Sequence, residues 1–344
     1  MRINIIEDIE NFKGLENSWD DLCSRTESET VFESFEFNYY SWVYCLANNK
    51  NNLALVLVYD DHSLQVICPF YIDSRRRVRF INDNHSDSCD IISNINLDID
   101  IILKEVYRYF SINSFHFINL KSKACILKSL SLSFDYYIDR SSAVYSVLDV
   151  SKGVFPENVS EYRSRQKTEF RRILKKNQNR EHKILSYKEC KFPYDSICSL
   201  RSNMISRGVR SDNFLPSNQL KLIERLYRYG KVILSVVENK DTVNAISVIM
   251  KHRDRYLIWI DLYDNAKMIN LFNYIYLISL LSSNQSIHIN FGRGDYFYKT
   301  SNFLTKKIEL SSLHIFSSNK YKIMYYIESF LLNIFSTIYN IFKK

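Results

Sequence analysis

Glycine and proline are scarce in this sequence, with six glycines and four prolines in 344 residues. The seven cysteines are scattered, odd in number and without a CxxC pair. Such cysteines predict reduced, mostly buried thiols in a cytosolic protein rather than a disulfide framework. No other spacing typical of metal ligands occurs, so the sequence predicts no metal site.

The first residues carry acids where a signal peptide has bases, and they lack its long apolar run. We therefore expect a cytoplasmic protein, or one at the inner face of the membrane. The net charge of +8 is modest for this length and does not by itself indicate nucleic acid. Apolar residues make up 46% of the chain and charged residues 24%, which argues against disorder over most of it.

Length and hydrophobic alternation predict two domains of an α+β protein, at 1–150 and 151–312. In the first domain we predict strands at 4–6, 53–59, 64–72, 115–120 and 146–150, with helices around 19–43 and at 97–110. In the second we predict helices at 160–180, 194–207, 216–229 and around 275–281, with strands at 231–238, 244–250, 257–263 and 287–291. Two mostly antiparallel sheets flanked by helices suggest a duplicated fold, although no sequence repeat is visible.

The sharpest local signal is IHINFGRGDYFYKT at 287–300, where a predicted strand runs into Gly292 and Gly294. Dinucleotide binding explains it poorly, because the third glycine of GxGxxG is missing and an acid follows the pair. The segment is either a plain turn or a turn that directs side chains at a site, and we prefer the second interpretation. The side chains so directed are Arg293, Asp295, Tyr298 and Lys299.

A second signal is the basic segment at 161–180, predicted to be helical. Its cations at 163, 167, 171 and 175 recur at i, i+4 along one face, while Arg165 and Arg172 lie elsewhere. This face would attract the phosphates of coenzyme A, tRNA, a nucleotide sugar or lipid headgroups. A solvated charged surface is an equally good interpretation. His182 and His252 lie in polar stretches nearby and are expected at the surface.

Together these segments resemble the GNAT-like acyltransferases of the cellulose-biosynthesis and FemAB-like type. Residues 163–172 are similar to the basic helix of these proteins, and 290–295 with Tyr298 and Lys299 to their closing motif. The N-terminal half is also similar, at Trp19, Leu22, 32–37, Trp42, Pro69 and 86–90, so the resemblance covers roughly 15–305. It departs at Asn290, where the family usually has Asp, and in the loop 264–270, which has no glycine.

The resemblance implies two tandem GNAT-like halves that transfer an acyl group from acyl-CoA, without a metal, to an amine or hydroxyl of a cell-envelope sugar or polysaccharide precursor. Asp261 or Asp295 would accept the proton and Tyr298 would protonate the leaving group, while Lys299 or Arg293 would stabilise negative charge or hold a phosphate. The residues expected to bind the donor are Arg163, Arg165, Arg172, Lys267, Gly292, Arg293 and Gly294.

Three alternatives stay open at this point. A FemAB-like enzyme would take aminoacyl-tRNA as donor, which the basic helix would suit. An inactive GNAT-like module could serve as a scaffold in polysaccharide assembly. A nucleic-acid binder could use the 163–180 helix, although DNA is not an expected partner.

The segment 313–344 is predicted as a separate C-terminal element. Within it, 319–344 reads as one amphipathic helix with a narrow polar stripe, bracketed by Lys320, Lys322, Lys343 and Lys344. Glu328 and the barely sufficient apolar length argue against a bilayer-spanning helix. The helix either lies on a membrane surface or packs on the protein itself or on a second subunit.

Overall fold

The computed structural model describes residues 1–26, 30–47, 49–128, 135–240, 242–266 and 268–342; for 135, 140–141, 332–333 and 336–342 it describes the backbone alone. The strands are β1 Arg2–Ile6, β2 Asn52–Asp60, β3 Ser63–Ile72, β4 Arg77–Phe80, β5 Ile92–Ser93, β6 Ser114–Lys121, β7 Asp135–Val150, β8 Glu181–Leu185, β9 Val232–Asn239, β10 Thr242–His252, β11 Arg255–Tyr263, β12 Ile287–Arg293 and β13 Lys306–Phe316. The helices are α1 Ile9–Lys13, α2 Glu16–Arg25, α3 Phe35–Ser41, α4 Ile99–Phe110, α5 Cys125–Lys128, α6 Ser164–Lys176, α7 Tyr194–Ser206, α8 Ser217–Arg228, α9 Ile269–Ser282, α10 Phe297–Ser301 and α11 Asn319–Phe342.

The chain forms two compact units. Unit 1 comprises 1–26, 47–142 and 310–344, and unit 2 comprises 27–46 and 143–309. Each unit is a mixed sheet flanked by helices, which confirms the predicted α+β class. The division predicted from the sequence, at 150/151 and 312/313, stays a prediction.

Unit 1 has its strands in the order β1-β2-β3-β4-β6-β13, with β5 beside β3. The pairs are antiparallel except for β4 with β6. Helix α4 is capped by Asp98, whose carboxylate accepts the Asp100 N–H at 3.0 Å, and it packs Ile102, Leu103 and Val106 onto the sheet. The apolar alternation of β2 and β3 supplies the other half of this core.

Unit 2 has the order β7-β12-β11-β10-β9-β8 and carries helices on both faces of its sheet. Alternate residues of β9 separate the two cores: Ile233 and Val237 face α6 and α9, whereas Leu234 and Val236 face α7 and α8. The segment 31–46, which includes α3, packs on the α7–α8 face. Because both faces are covered, any polar side chain in the middle of these strands needs a hydrogen-bond partner.

Four strands were missed in the sequence, namely β4, β5, β8 and β13. β8 is a short strand in which exposed Glu181 and Lys183 alternate with partly buried residues, so its apolar signal is weak. β13 buries Ser311, Ser312 and His314, which interrupt the apolar run expected of a buried strand. All seven cysteines are free thiols, but the expectation that most are buried is wrong, since only Cys68 and Cys89 are.

Two histidines of unit 1 lie against each other, His116 on β6 and His314 on β13, with ring centroids 4.8 Å apart. Burial lowers the pKa of His116 from 6.5 to about 2 and that of His314 to about 4. Both therefore stay neutral in the folded chain as the pH falls below 6.5, while the unfolded chain takes up protons. The proton uptake favours unfolding, so these histidines cost stability as the pH falls.

We expect His116→Phe, which keeps a ring but cannot titrate, to become progressively more stable than wild type from pH 7 to pH 5. The slope should approach about 1.4 kcal/mol per pH unit, the value for one proton. Urea unfolding at several pH values measures it, with His62→Gln, a change in an exposed turn, as control. Parallel curves for wild type and His116→Phe would show that His116 titrates normally in the folded chain.

Candidate active site

The strands β11 and β12 separate at their carboxyl ends. They run parallel and pair only at Arg255–His288, Tyr256–Ile289 and Leu257–Asn290. No later pair joins them in the described residues, although β11 continues to Tyr263 and β12 to Arg293. The resulting opening has Asp261 on one strand and the 292–294 turn on the other. Openings at the carboxyl ends of parallel strands are common ligand sites in α/β proteins.

A β-bulge decides which side chain of β11 faces α9. Val248 pairs with Ile260 but the next residue, Ile249, pairs with Ile258, so Trp259 is the extra residue. Before the bulge, Tyr256 and Ile258 face the α6–α9 core; after it, Ile260 and Leu262 face the opposite core. The parity switch turns Asp261 toward α9, where an unbroken strand would have placed Ile260.

Asp261 receives two short hydrogen bonds there. The Ser247 hydroxyl donates to its Oδ1 at 2.6 Å and the Tyr274 hydroxyl to its Oδ2 at 2.5 Å. Burial raises the pKa of Asp261 above its usual value, although these bonds and the charges of Arg210 and Lys299 lower it. The ring of Tyr298 stacks on that of Tyr274 with centroids 5.9 Å apart, and Tyr298 contributes to raising the pKa of Tyr274. Asp261 and Tyr274 thus form a hydrogen-bonded pair, with the Tyr298 phenol stacked beside it, and such a row of groups suits proton transfer.

The hydrogen-bonded row continues behind Asp261, across the sheet. Ser235, Ser247 and Asp261 are register partners on β9, β10 and β11. From α9, the Asn273 side-chain amide donates to the Ser247 hydroxyl at 3.0 Å, and its oxygen accepts from the Ser235 hydroxyl at 2.6 Å. The polar groups are therefore paired with one another under an otherwise apolar helix.

His182 forms the far end of this row, so the expectation of a surface histidine is wrong. Its Nε2 lies 2.8 Å from the Ser235 hydroxyl and 3.0 Å from Asn273 Oδ1, and its ring stacks on Tyr276 at 4.2 Å. Because Asn273 Oδ1 only accepts, Nε2 must carry the proton. Burial lowers the pKa of His182 to about 4, so the ring is neutral near pH 7.

Lys299 fixes the glycine turn from inside. Its ammonium is buried and donates to the carbonyl oxygens of three consecutive residues, at 2.8, 3.0 and 3.1 Å for Gly292, Arg293 and Gly294. Three carbonyl acceptors account for all three ammonium hydrogens. Lys299 therefore positions the turn. Its predicted role in stabilising charge on the substrate stays a prediction.

The two glycines and Asn290 explain the local sequence. The Asn290 side-chain oxygen accepts the Gly292 N–H at 2.8 Å, a bond that Asp could make as well, so the departure from the family motif leaves this contact in place. Gly292 and Gly294 both have positive φ. A Cβ on Gly294 would lie 2.7 Å from the Tyr296 ring, so the turn requires glycine there.

The other predicted residues of this segment face outward. Asp295 is exposed and bound to the Lys307 ammonium at 2.6 Å, away from Asp261 and Tyr274. Tyr296 stacks on Tyr298 with centroids 6.1 Å apart, and the ring of Phe297 is 83% exposed beside them. Arg293 is partly exposed in the turn. Of the predicted catalytic residues, the structure thus brings together Asp261, Tyr298 and Lys299, with Asp295 at the edge.

The predicted donor-binding arginines lie on α6. Arg163 and Arg165 are exposed at its start, and Arg172 is held by Glu169 through two bonds of 2.8 and 2.7 Å. The buried side of α6, with Phe170 and Ile173, packs with α9. Among the described residues, no hydrogen bond or ion pair joins these arginines to Asp261, Tyr274 or Tyr298. Lys267, the remaining predicted residue, lies outside the described residues.

Arg210 was missed in the sequence analysis. It is exposed in the segment after α7, stacks on Phe214 at 4.8 Å, and its charge lowers the pKa of Asp261. The neighbouring Arg207 donates to the Tyr263 carbonyl at 2.9 Å, which ties this segment to the end of β11. The sequence feature that could have identified Arg210 is the segment Arg207-Gly208-Val209-Arg210, in which one of the six glycines of the chain lies between two arginines.

Three N–H groups around the start of α9 have local acceptors. The Ala266 N–H donates to Asp264 Oδ1 at 2.8 Å, the Ile269 N–H to the Ala266 carbonyl, and the Leu271 N–H to the Asn270 side chain. An acid also sits in this loop, where it would repel a phosphate. In the described residues no group of three or more His, Cys, Asp or Glu side chains could hold a metal ion.

The fold is shared with several solved structures of low sequence identity. FemX superposes with a TM-score of 0.63 at 10% identity, over 94% of this chain and 99% of FemX. L-PGS from Bacillus licheniformis gives 0.58 at 9% identity, over 91% and 93%. A tandem GNAT protein from the clavulanic acid biosynthesis pathway gives 0.50 at 7% identity, over 91% and 98%. No protein-family model and no curated protein sequence matches the chain. The predicted GNAT-like, FemAB-like fold is confirmed.

Lys299 and Lys307 allow a matched test of the turn. Lys299→Met should lower the free energy of unfolding by about 2–4 kcal/mol, because three carbonyl groups lose a buried charged donor. Lys307→Met removes only an exposed ion pair and should cost less than about 1 kcal/mol. Urea unfolding compares the two. Equal losses would mean that the Lys299 bonds do not hold the turn.

Proposed function

We propose that this chain is an acyltransferase that moves an acyl or aminoacyl group to an amine or hydroxyl of a cell-envelope sugar or polysaccharide precursor in the cytoplasm. The observation that carries the proposal is the Asp261–Tyr274 hydrogen bond with Tyr298 stacked on Tyr274, at the opening between β11 and β12 in a fold shared with FemX. The narrower likeness to the cellulose-biosynthesis type rests on the 290–295 motif with Tyr298 and Lys299.

In this reaction the nitrogen or oxygen atom of the acceptor attacks the acyl carbonyl carbon with its lone pair. The new C–N or C–O bond forms, and the bond from the acyl carbon to the carrier oxygen or sulfur breaks. The acceptor proton enters through the Tyr298 hydroxyl, which passes its own proton to Tyr274, and Tyr274 passes one to Asp261. The return transfer through the same hydroxyls protonates the leaving group, so the enzyme ends as it began.

Asp261 suits the role of proton acceptor better than Asp295. Its raised pKa brings the carboxylate closer to the basicity that proton transfer near neutral pH requires. Asp295 is exposed and paired with Lys307, which leaves it neither buried nor connected to a hydroxyl chain. Arg210, exposed and within electrostatic range of Asp261, is the cation we assign to an anionic group of the substrates.

The donor that fits best is an ester rather than a coenzyme A thioester. Acyl-CoA is the donor expected from the sequence, but three N–H groups around the start of α9 already have local acceptors. An aminoacyl-tRNA brings phosphates that the exposed arginines of α6 could meet, and its alkoxide leaving group needs the proton that Tyr298 supplies. We therefore place aminoacyl-tRNA before acyl-CoA.

The donor is tested first by thermal unfolding with acetyl-CoA, longer acyl-CoAs and free coenzyme A, then by binding of aminoacyl-tRNA. A ligand at about 100 times its dissociation constant adds roughly 2.7 kcal/mol, which raises the melting temperature by several degrees. We expect no shift with the coenzyme A series and salt-dependent binding of tRNA. A clear shift with coenzyme A would reverse the order of the two donors.

The catalytic assignment is tested by transfer assays on Asp261→Asn, Tyr298→Phe and Asp295→Asn. The first two should lose at least about 100-fold in kcat/KM, because each interrupts the proton path. Asp295→Asn should keep most of the activity. The acid limb of the wild-type pH profile should lie above the ordinary Asp value of 3.8, since the carboxylate must be ionised to accept the proton. Full turnover by Asp261→Asn would exclude Asp261 as the base.

A further inference from the structure

The C-terminal helix α11 turns its apolar side away from the protein. Its outward residues are Ile323, Met324, Tyr326, Ile327, Phe330, Leu331, Ile334 and Phe335. Phe330 is 66% exposed and Phe335 is 64% exposed. The positions 323, 327, 330, 331 and 334 follow the spacing of one helix face, so the exposed residues form a continuous stripe. A contiguous apolar surface of this kind on a folded protein marks a contact with another body.

The opposite side of α11 is attached to unit 1. Tyr325 packs against His314 at 4.6 Å, His116 at 5.5 Å and Phe316 at 5.5 Å between ring centroids. Glu328 accepts a hydrogen bond from Arg75 at 2.8 Å. The helix therefore has a fixed orientation, and it is the side carrying the aromatic and ionic contacts that faces the protein.

The charges of residues 319–344 indicate what kind of surface covers the apolar stripe. Residues 319–344 contain Lys320, Lys322, Lys343 and Lys344 but only one acid, Glu328, which is bound to Arg75. A second copy of the helix would bring more lysines and no free acid to pair with them. The surface of an anionic bilayer offers an apolar layer for the stripe and negative charges for the lysines.

We propose that α11 lies in the surface of an anionic lipid bilayer, with the Ile323–Ile327–Phe330–Ile334 stripe in the acyl boundary and Lys320 and Lys322 among the headgroups. No helix in the described part of the chain is long and apolar enough to cross a membrane, so the contact is in the plane of the bilayer. This surface belongs to unit 1, and the proposal does not depend on the transfer reaction.

The test is flotation of the full chain with vesicles of phosphatidylcholine containing about 30% phosphatidylglycerol, compared with phosphatidylcholine alone. The double variant Ile327→Glu/Phe330→Glu places two charges in the stripe. The matched control, Ile101→Glu/Val154→Glu, adds the same charges at two other exposed apolar positions. Circular dichroism of all forms checks that the fold is kept, and light scattering gives the oligomeric state without lipid.

We expect wild type and the Ile101/Val154 control to float with the anionic vesicles, more weakly with neutral ones and more weakly at high salt. The stripe variant should bind about 100-fold less tightly, the loss expected when two buried apolar side chains become charged. Failure of wild type to float, or equal flotation of the stripe variant, would overturn the proposal. A wild-type dimer that the stripe variant dissociates, without vesicle binding, would show that a second copy covers α11.

Discussion

The β-bulge at Trp259 is the constraint on which the candidate site depends. One extra residue in β11 reverses the direction of every side chain after it, and so turns a carboxylate into a core that is otherwise lined by Ile, Leu, Phe and Tyr. The same strand pairs with β12 only as far as Leu257, which leaves that carboxylate next to an opening. The irregular register with β10 supplies the acid, and the short pairing with β12 supplies the access to it.

The partly buried carboxylate of Asp261 is accommodated in this core by polar neighbours in the same row. Ser235 and Ser247 occupy inward positions where apolar residues would give more hydrophobic stabilisation, and Asn273 stands in an apolar helix. Their hydrogen bonds to each other and to Asp261 offset the loss of water. The hydrophobic stabilisation is thus reduced at Ser235, Ser247 and Asn273, which lie behind Asp261 as seen from the opening.

Much of the fold could be predicted from the sequence, because the spacing of apolar residues within one helix or strand can be read from that segment alone. The strands β9–β11 are largely apolar runs, the helices α7 and α8 carry apolar residues at helical spacing, and the glycine turn stands out in a chain with little glycine. The bulge could not be predicted, since it depends on how two strands pair. Tyr274 was hidden in an apolar run, although the Asn273 beside it was a usable sign, because a buried amide needs partners. Lys299 was recognised by its motif, but its three carbonyl acceptors follow from the turn geometry alone.

The donors around Asp261 point inward from both sides. Hydrogens are directed from His182 and Ser235 to Asn273, from Asn273 to Ser247, and from Ser247 and Tyr274 to the carboxylate. On one side, the amide of Asn273 cannot reverse its polarity without a rotation of the whole group. On the other side, the hydroxyls of Tyr274 and Tyr298 can each rotate about a single bond. The hydrogen bonds on the Asn273 side of Asp261 are therefore fixed in direction. A change of charge at Asp261 can be relayed only on the other side, through the tyrosine hydroxyls toward the opening.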